Sequence, residues 1–391
     1  MSFRFVILAG AALAAQVSLA SAALAQGTGD GLPSVSVWTS YPTGTAYYTH
    51  ASVIGGMMQT QHGSNIRVIP GRNDIARLTP LRTGRADYTM GGIAIYYAQE
   101  GLYSFDSTEW GPQPVRIVLT NNNMGTGLAL GAAGDAGIAS AADLRGKRVV
   151  WLLGNDAINL ATTGFLAYAG LTWDDVVRVD VGDPGEAVDA ILNGIADVMA
   201  VSNTNPFNER VMNSPRGFTY VQMPNATAED HDRWAQAQSV VPYLSPVTVT
   251  GGAGVSAESP LHAGNYPVPI LATLDAAGTR ATEVEAMVRF LATNMDAFQQ
   301  AVPNADGWRL EAQDLDWIIP YHPGAVAYLR EAGLWSDAHQ AHNDALLHRQ
   351  DVLRSAWDTY LDAAVTDFSA ANWREARAEA LESAGLAVGL R

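Results

Sequence analysis

The residues best placed to do chemistry sit in short loops that end a strand and open a helix. Thr43, Gly44 and Thr45 precede a run with Tyr47, Ala51, Ile54 and Met58 at spacing 4, 3, 4, which predicts a helix starting at that loop. Gly71-Arg72-Asn73-Asp74, Gly91-Gly92, Asn155-Asp156 (with Asn159 one turn on) and Ser202-Asn203-Thr204-Asn205 stand in equivalent places. A helix N-terminus presents backbone N–H groups without intrahelical acceptors and a partial positive charge, so it favours a carboxylate. The glycines let the backbone approach a ligand, and the hydroxyls and amides add donors. Arg72 could hold a carboxylate bidentately with its planar fork. The same Ser, Thr, Asn and Asp residues are also ordinary helix caps, and the sequence leaves both roles open. Asp156 would repel a carboxylate; it suits an amino group, a hydroxyl, a metal or the opposite side of a cleft. Tyr47, Tyr266 and Trp38 could wall a pocket or serve as packing. Arg145, Lys147 and Arg148 precede their strand, at the end away from such loops, and read as structural.

Other chemistries are poorly supported. The 391 residues contain no Cys, which excludes disulfides, thiol nucleophiles and Cys-held metals. Lys and Arg number 23 against 39 Asp and Glu, a formal charge of −16, which argues against binding a phosphate backbone. His339, His342 and His348 cannot share one helix face at about 100° per residue, so no metal site is expected. None of the nucleophile-elbow, phosphate-loop, zinc-helix or dinucleotide motifs occurs in its required context, so neither an enzyme nor a cofactor is expected.

The elements that position these loops alternate. Short strands near 35–38, 66–69, 88–90, 148–153 and 198–201 each run into one of the loops and then a helix, the pattern of parallel sheets covered by helices. Residues 115–130 and 246–274 break the rhythm with strand-like runs and no helix between them, and read as two crossings between sheets. The expected architecture is α/β with two Rossmann-like lobes, a hinge and a cleft lined by loops at strand C-terminal ends. The expected boundaries are 33–122 and 251–335 for the first lobe and 123–250 for the second. A helical extension follows over 336–391, with Leu346, Leu353, Trp357, Tyr360 and Ala364 on one stripe. Residues 1–25 read as a cleaved export signal: Arg4, an apolar run from Phe5 to Ala15, and Ala23-Leu24-Ala25 before Gln26. With no Cys at that junction and no apolar run of spanning length, the expectation is a periplasmic chain without a lipid anchor or membrane span.

Taken together the motifs resemble the TAXI-type substrate-binding proteins of tripartite TRAP transporters, in the periplasmic-binding-protein type II fold. Thr43-Gly44-Thr45-Ala46-Tyr47-Tyr48 resembles the family's loop after the first strand, and Gly84-Arg85-Ala86-Asp87 its G-x-A-D element. Asp143-Leu144-Arg145-Gly146-Lys147-Arg148-Val149 is similar to D-L-x-G-K-x-V, and Gly194-Ile195-Ala196-Asp197 to a second G-x-A-D. His322-Pro323-Gly324-Ala325 and Gly333-Leu334 resemble its C-terminal signature. The resemblance implies a protein that captures a small solute and delivers it to a TRAP membrane permease. It implies carboxylate ligands such as glutamate or 2-oxo- and 2-hydroxydicarboxylates. The chain departs from the family at Asn155–Asn159 and Gly71–Ala76, which places ligand choice in those loops. A ligand sensor handing its closed state to a receptor is the alternative, and a hydrolase or lyase on the same scaffold a more distant one.

Overall fold

A computed structural model describes residues 31–390 except 72, 124, 139, 154, 183, 206, 303–304 and 364–367. The expected export signal, Arg72 and Ala364 of the C-terminal stripe lie outside the described residues. Two mixed α/β sheets form the body. The first contains β1 (Val35–Ser40), β2 (Asn65–Pro70), β3 (Tyr88–Gly91), β4 (Arg116–Thr120) and β12 (Ile270–Thr273), in the order β2-β1-β3-β12-β4. Its helices are α1 (Ala46–His62), α2 (Asp74–Arg82) and α3 (Ala94–Glu100). β1, β2 and β3 pair in parallel, and β12 returns antiparallel between β3 and β4.

The second sheet holds β5 (Leu128–Ala133), β6 (Arg148–Leu152), β7 (Val177–Val181), β8 (Val198–Ser202), β9 (Phe218–Tyr220), β10 (Ser245–Val249) and β11 (Leu261–Asn265). The order is β10-β11-β5-β8-β6-β7, with β9 also on β5. Interleaved are α4 (Asp156–Tyr168), α5 (Pro184–Leu192), α6 (Phe207–Met212) and α7 (Ala228–Val240). This is the two-lobed arrangement of a type II periplasmic binding protein, and three of the βα loops begin their helices with a polar cap: Thr45, Asn73 and Asn155 each accept from a backbone N–H one turn in, whereas α3 opens at Ile93 without a side-chain cap.

The chain leaves the first sheet after Thr120 and re-enters it at Ile270. The return falls later than the boundary at 250 read from the sequence. Gly251 to Gly254 turn between two strands of the second sheet instead of crossing, and β11 pairs with β10 over five residues. The two crossings are tied to each other: Asn121 N–H donates to Pro269 O and Val268 N–H to Asn121 O, each at 2.9 Å. A pair of adjacent, hydrogen-bonded crossings is the geometry of a hinge.

Helices α8 (Ala281–Thr293), α9 (Met295–Ala301) and α10 (Pro323–Glu331) complete the first lobe, and α11 (Asp337–Ala363) and α12 (Ala370–Ser383) form the extension. The five tryptophans beyond residue 300 are all buried. The extension docks on α3 through a charge cluster in which Glu100 and Arg377 are fully buried and Arg349 partly so: Glu100 accepts from Arg349 at 2.8 and 2.7 Å and from Arg377. Among the described residues no helix is long and apolar enough to cross a membrane.

Candidate functional site

A cavity of about 310 Å³ opens between the lobes, and it draws side chains from four places in the chain. The first loop and α1 supply Tyr41, Thr45, Ala46, Tyr47 and His50; the outgoing crossing supplies Asn121, Asn123 and Thr126. The loop after β8 gives Ser202 and Thr204, and the end of β11 with the returning crossing gives Asn265, Tyr266 and Val268. Its volume suits a small metabolite.

The α1 end is built for donation. Thr45 caps the helix by accepting from Tyr48 N–H at 3.3 Å while its hydroxyl donates to Pro42 O at 2.8 Å. The first-turn N–H groups of Ala46 and Tyr47 have no acceptor within the helix, and both residues line the cavity. One turn further, His50 is 2% exposed. Its Nδ1 accepts from Trp308 Nε1 at 2.9 Å. Indole nitrogen only donates, so the imidazole proton sits on Nε2, which has no partner among the described residues. Burial lowers the His50 pKa to about 4, keeping the ring neutral at physiological pH.

Tyrosines form the walls. Tyr41 and Tyr47 meet edge to face at 4.8 Å, and Tyr266 packs on Tyr243 at 5.3 Å. Burial raises the Tyr47 pKa to about 12 and pushes Tyr41 and Tyr266 above the ordinary phenol value, so all three stay neutral. Gly92 makes room for this wall, because a Cβ there would collide with the Tyr41 hydroxyl. Arg77 stacks over the Tyr41 ring at 3.8 Å and pairs with Asp74. Burial raises the Asp74 pKa, Arg77 opposes that, and the Asp156 charge adds to it, so the two carboxylates sense each other.

The structure gives the other expected residues different places. Thr43 and Gly44 form an exposed turn outside the cavity lining, with Gly44 at φ +89°. Asn73, Asn155 and Asn205 have their side-chain oxygens engaged as caps, accepting from Ala76, Ile158 and Phe207 N–H. Asn159 is buried against its own strand, bonding both the N–H and the C=O of Leu152. Asn203 is buried too, accepting from Gly127 N–H and donating to Gly125 O and Gly251 O, which fixes the second lobe's end of the crossing. Gly91 is a β3 residue behind the wall. Asp156 reaches across the lobes and accepts from Ser104 Oγ at 3.0 Å. Trp38 is buried in the first lobe against Tyr88. Thr45, Tyr47 and Ser202 remain in the lining. They are joined by His50, Asn121, Asn123 and Asn265, which the loop-by-loop reading missed. Among the described lining residues none carries a charge at neutral pH.

The profile of the NMT1-like family matches residues 39–333, a span running from β1 to the end of the first lobe. The chain belongs to the NMT1-like family. The matched span contains every residue of the interlobe cavity and stops before α11. No curated protein matches the chain. Among solved structures it is similar to the periplasmic aliphatic sulphonate binding protein SsuA from Escherichia coli, at 14% identity over 81% of this chain and 88% of that one, TM-score 0.42. It is also similar to a putative periplasmic sulfonate-binding protein from Methylobacillus flagellatus, at 14% identity over 90% and 95%, TM-score 0.41. A third likeness is to an ABC transporter periplasmic binding protein from Brucella ovis with glutathione bound, at 11% identity over 72% of each chain, TM-score 0.40.

Proposed function

We propose that this NMT1-like protein is a periplasmic solute-binding protein of an import system, not an enzyme, and that it captures a small organic acid between its lobes for delivery to a TRAP membrane permease. The observation that carries the reading is the composition of the cavity: both lobes and both crossings contribute to one lining. A solute touching all four surfaces would couple its binding to hinge closure. The carboxylate would be held by neutral donors, the first-turn N–H groups of α1 and Nε2–H of His50, with amides from Asn123 and Asn265 around it. Oriented dipoles stabilise a buried anion without a paired cation. Glutamate and the 2-oxo- and 2-hydroxydicarboxylates are the candidates, since the motifs resemble those of TAXI-type proteins. Asp74 and Asp156 are already engaged by Arg77 and Ser104, which does not favour an acid–base pair for a hydrolase or lyase.

A thermal-shift panel of the mature protein against glutamate, 2-oxoglutarate, 2-hydroxyglutarate, lysine and glucose tests this. An acid at 100 times its dissociation constant adds about 2.7 kcal/mol of stability. Stabilisation by an acid is the expected result; stabilisation by lysine or glucose alone would overturn the carboxylate assignment. Co-purification with permease subunits separates delivery from sensing.

A further inference from the structure

A second cavity, of about 400 Å³, lies on the outer side of the first lobe, where α10 and α11 meet the start of β4. Its polar groups are donors. Arg116, on β4, is 7% exposed and lines the cavity. Its Nη1 donates to Val115 O at 2.9 Å and to Gln350 Oε1, while Nε and Nη2 make no hydrogen bond among the described residues. No described carboxylate lies within ion-pair reach of this guanidinium. The acids nearest in charge effect are committed elsewhere: Asp275 to His322 and the backbone N–H groups of Thr279 and Arg280, and Asp351 to Arg354. Burial lowers the Arg116 pKa to about 10, which leaves it cationic at neutral pH.

Asn343, 4% exposed on α11, also lines the cavity, and its Oδ1 accepts from Tyr321 N–H at 2.8 Å, leaving the amide N–H₂ as the free end. Arg330 stands beside them, held by Gln340 at 2.6 Å. The rest of the wall is apolar, from Tyr321, Val326 and Leu347. A buried cation that has neutral acceptors but no counter-charge is costly unless an anion pairs with it. The volume exceeds what an inorganic ion needs, and the apolar wall would contact a hydrocarbon body.

We propose that this cavity is a second ligand site, for a small organic acid with an apolar body whose carboxylate pairs with Arg116. Nε and Nη2 lie on one edge of the guanidinium and match a carboxylate bidentately, with the Asn343 amide as a further donor. Such a ligand ties β4 to α10 and α11, so the site belongs to the joint between the span the family shares and the C-terminal extension, apart from the interlobe cavity.

The test uses 4-fluorobenzoate as probe, followed by ¹⁹F line broadening with the full mature chain. Binding by the wild type, weakened roughly tenfold or more in Arg116→Gln, is expected from the loss of a charged hydrogen-bonded pair. Ala327→Trp fills the cavity from an exposed α10 position and serves as the second variant should Arg116→Gln fail to fold; it must also weaken binding. His50→Phe, in the interlobe cavity, must leave binding unchanged. Absence of binding to the wild type, equal binding by Ala327→Trp, or loss of binding in His50→Phe would each overturn the proposal.

Discussion

The imidazole of His50 and the indole of Trp308 are joined by a single hydrogen bond, Nε1–H to Nδ1 at 2.9 Å, across 258 positions of sequence. The bond links the inner face of α1 to the turn that follows α9, and it decides which ring nitrogen carries the proton. It also makes His50 a reporter of acid sensitivity. The pKa is lowered by burial to about 4 from 6.5 in the unfolded chain, so the folded state binds fewer protons between those values. The contribution to stability is complete above pH 6.5 and is lost as pH falls towards 4, up to about 3 kcal/mol. Urea denaturation at pH 7 and pH 4.5 should show this loss in the wild type. His50→Gln, which keeps an acceptor for Trp308 but cannot titrate, should lack that part of the slope.

The extension is held by charge at its deepest point. Burial by itself would raise the Glu100 pKa, but Arg377 and Arg349 outweigh burial and hold it below the ordinary carboxylate value. Glu100→Gln leaves two guanidiniums without their counter-charge and should destabilise the protein by about 3–5 kcal/mol in chemical denaturation. The triple replacement Glu100→Leu, Arg349→Met, Arg377→Met should cost less than Glu100→Gln, because no buried charge is left unpaired.

The lobes also touch beside the hinge. Tyr97 on α3 and Tyr243 before β10 place their hydroxyls 2.6 Å apart, and Ser104 reaches Asp156 at 3.0 Å. Tyr97→Phe keeps the ring packing and removes one bond, worth about 1 kcal/mol. The expected outcome is a broader separation between lobes. Spin labels on cysteines introduced at the exposed positions Gln61 and Glu209 would read it, and the cysteine-free chain makes the labelling specific.

Much of this was legible in the sequence for physical reasons. Strand-loop-helix alternation is written in apolar runs and cap residues, so the two sheets, the α1 loop and the C-terminal stripe around Trp357 could be read directly. Asn73, Asn155 and Asn205 could not be sorted, because an amide suited to a ligand is equally suited to a helix cap. Asn159 and Asn203 look like cleft residues in one dimension and satisfy backbone groups in three. His50 carries no loop signal, although it lies three residues after Tyr47 on the stripe that spacing assigns to the inner face of α1. Asn121, Asn123 and Asn265 come from the crossings, and only the pairing of those crossings brings them together. The partnering of Glu100 by two arginines about 250 and 277 positions away leaves no local trace.

The proposed solute capture rests on a carboxylate held at the start of α1 against His50. Calorimetric titration of the wild type and His50→Phe, using the stabilising acid of the panel and its methyl ester, addresses it most directly. The wild type should bind the acid, the ester should bind at least roughly tenfold more weakly, and His50→Phe should lose roughly tenfold for the acid. Equal affinity for acid and ester, or an acid affinity unchanged in His50→Phe, would contradict it.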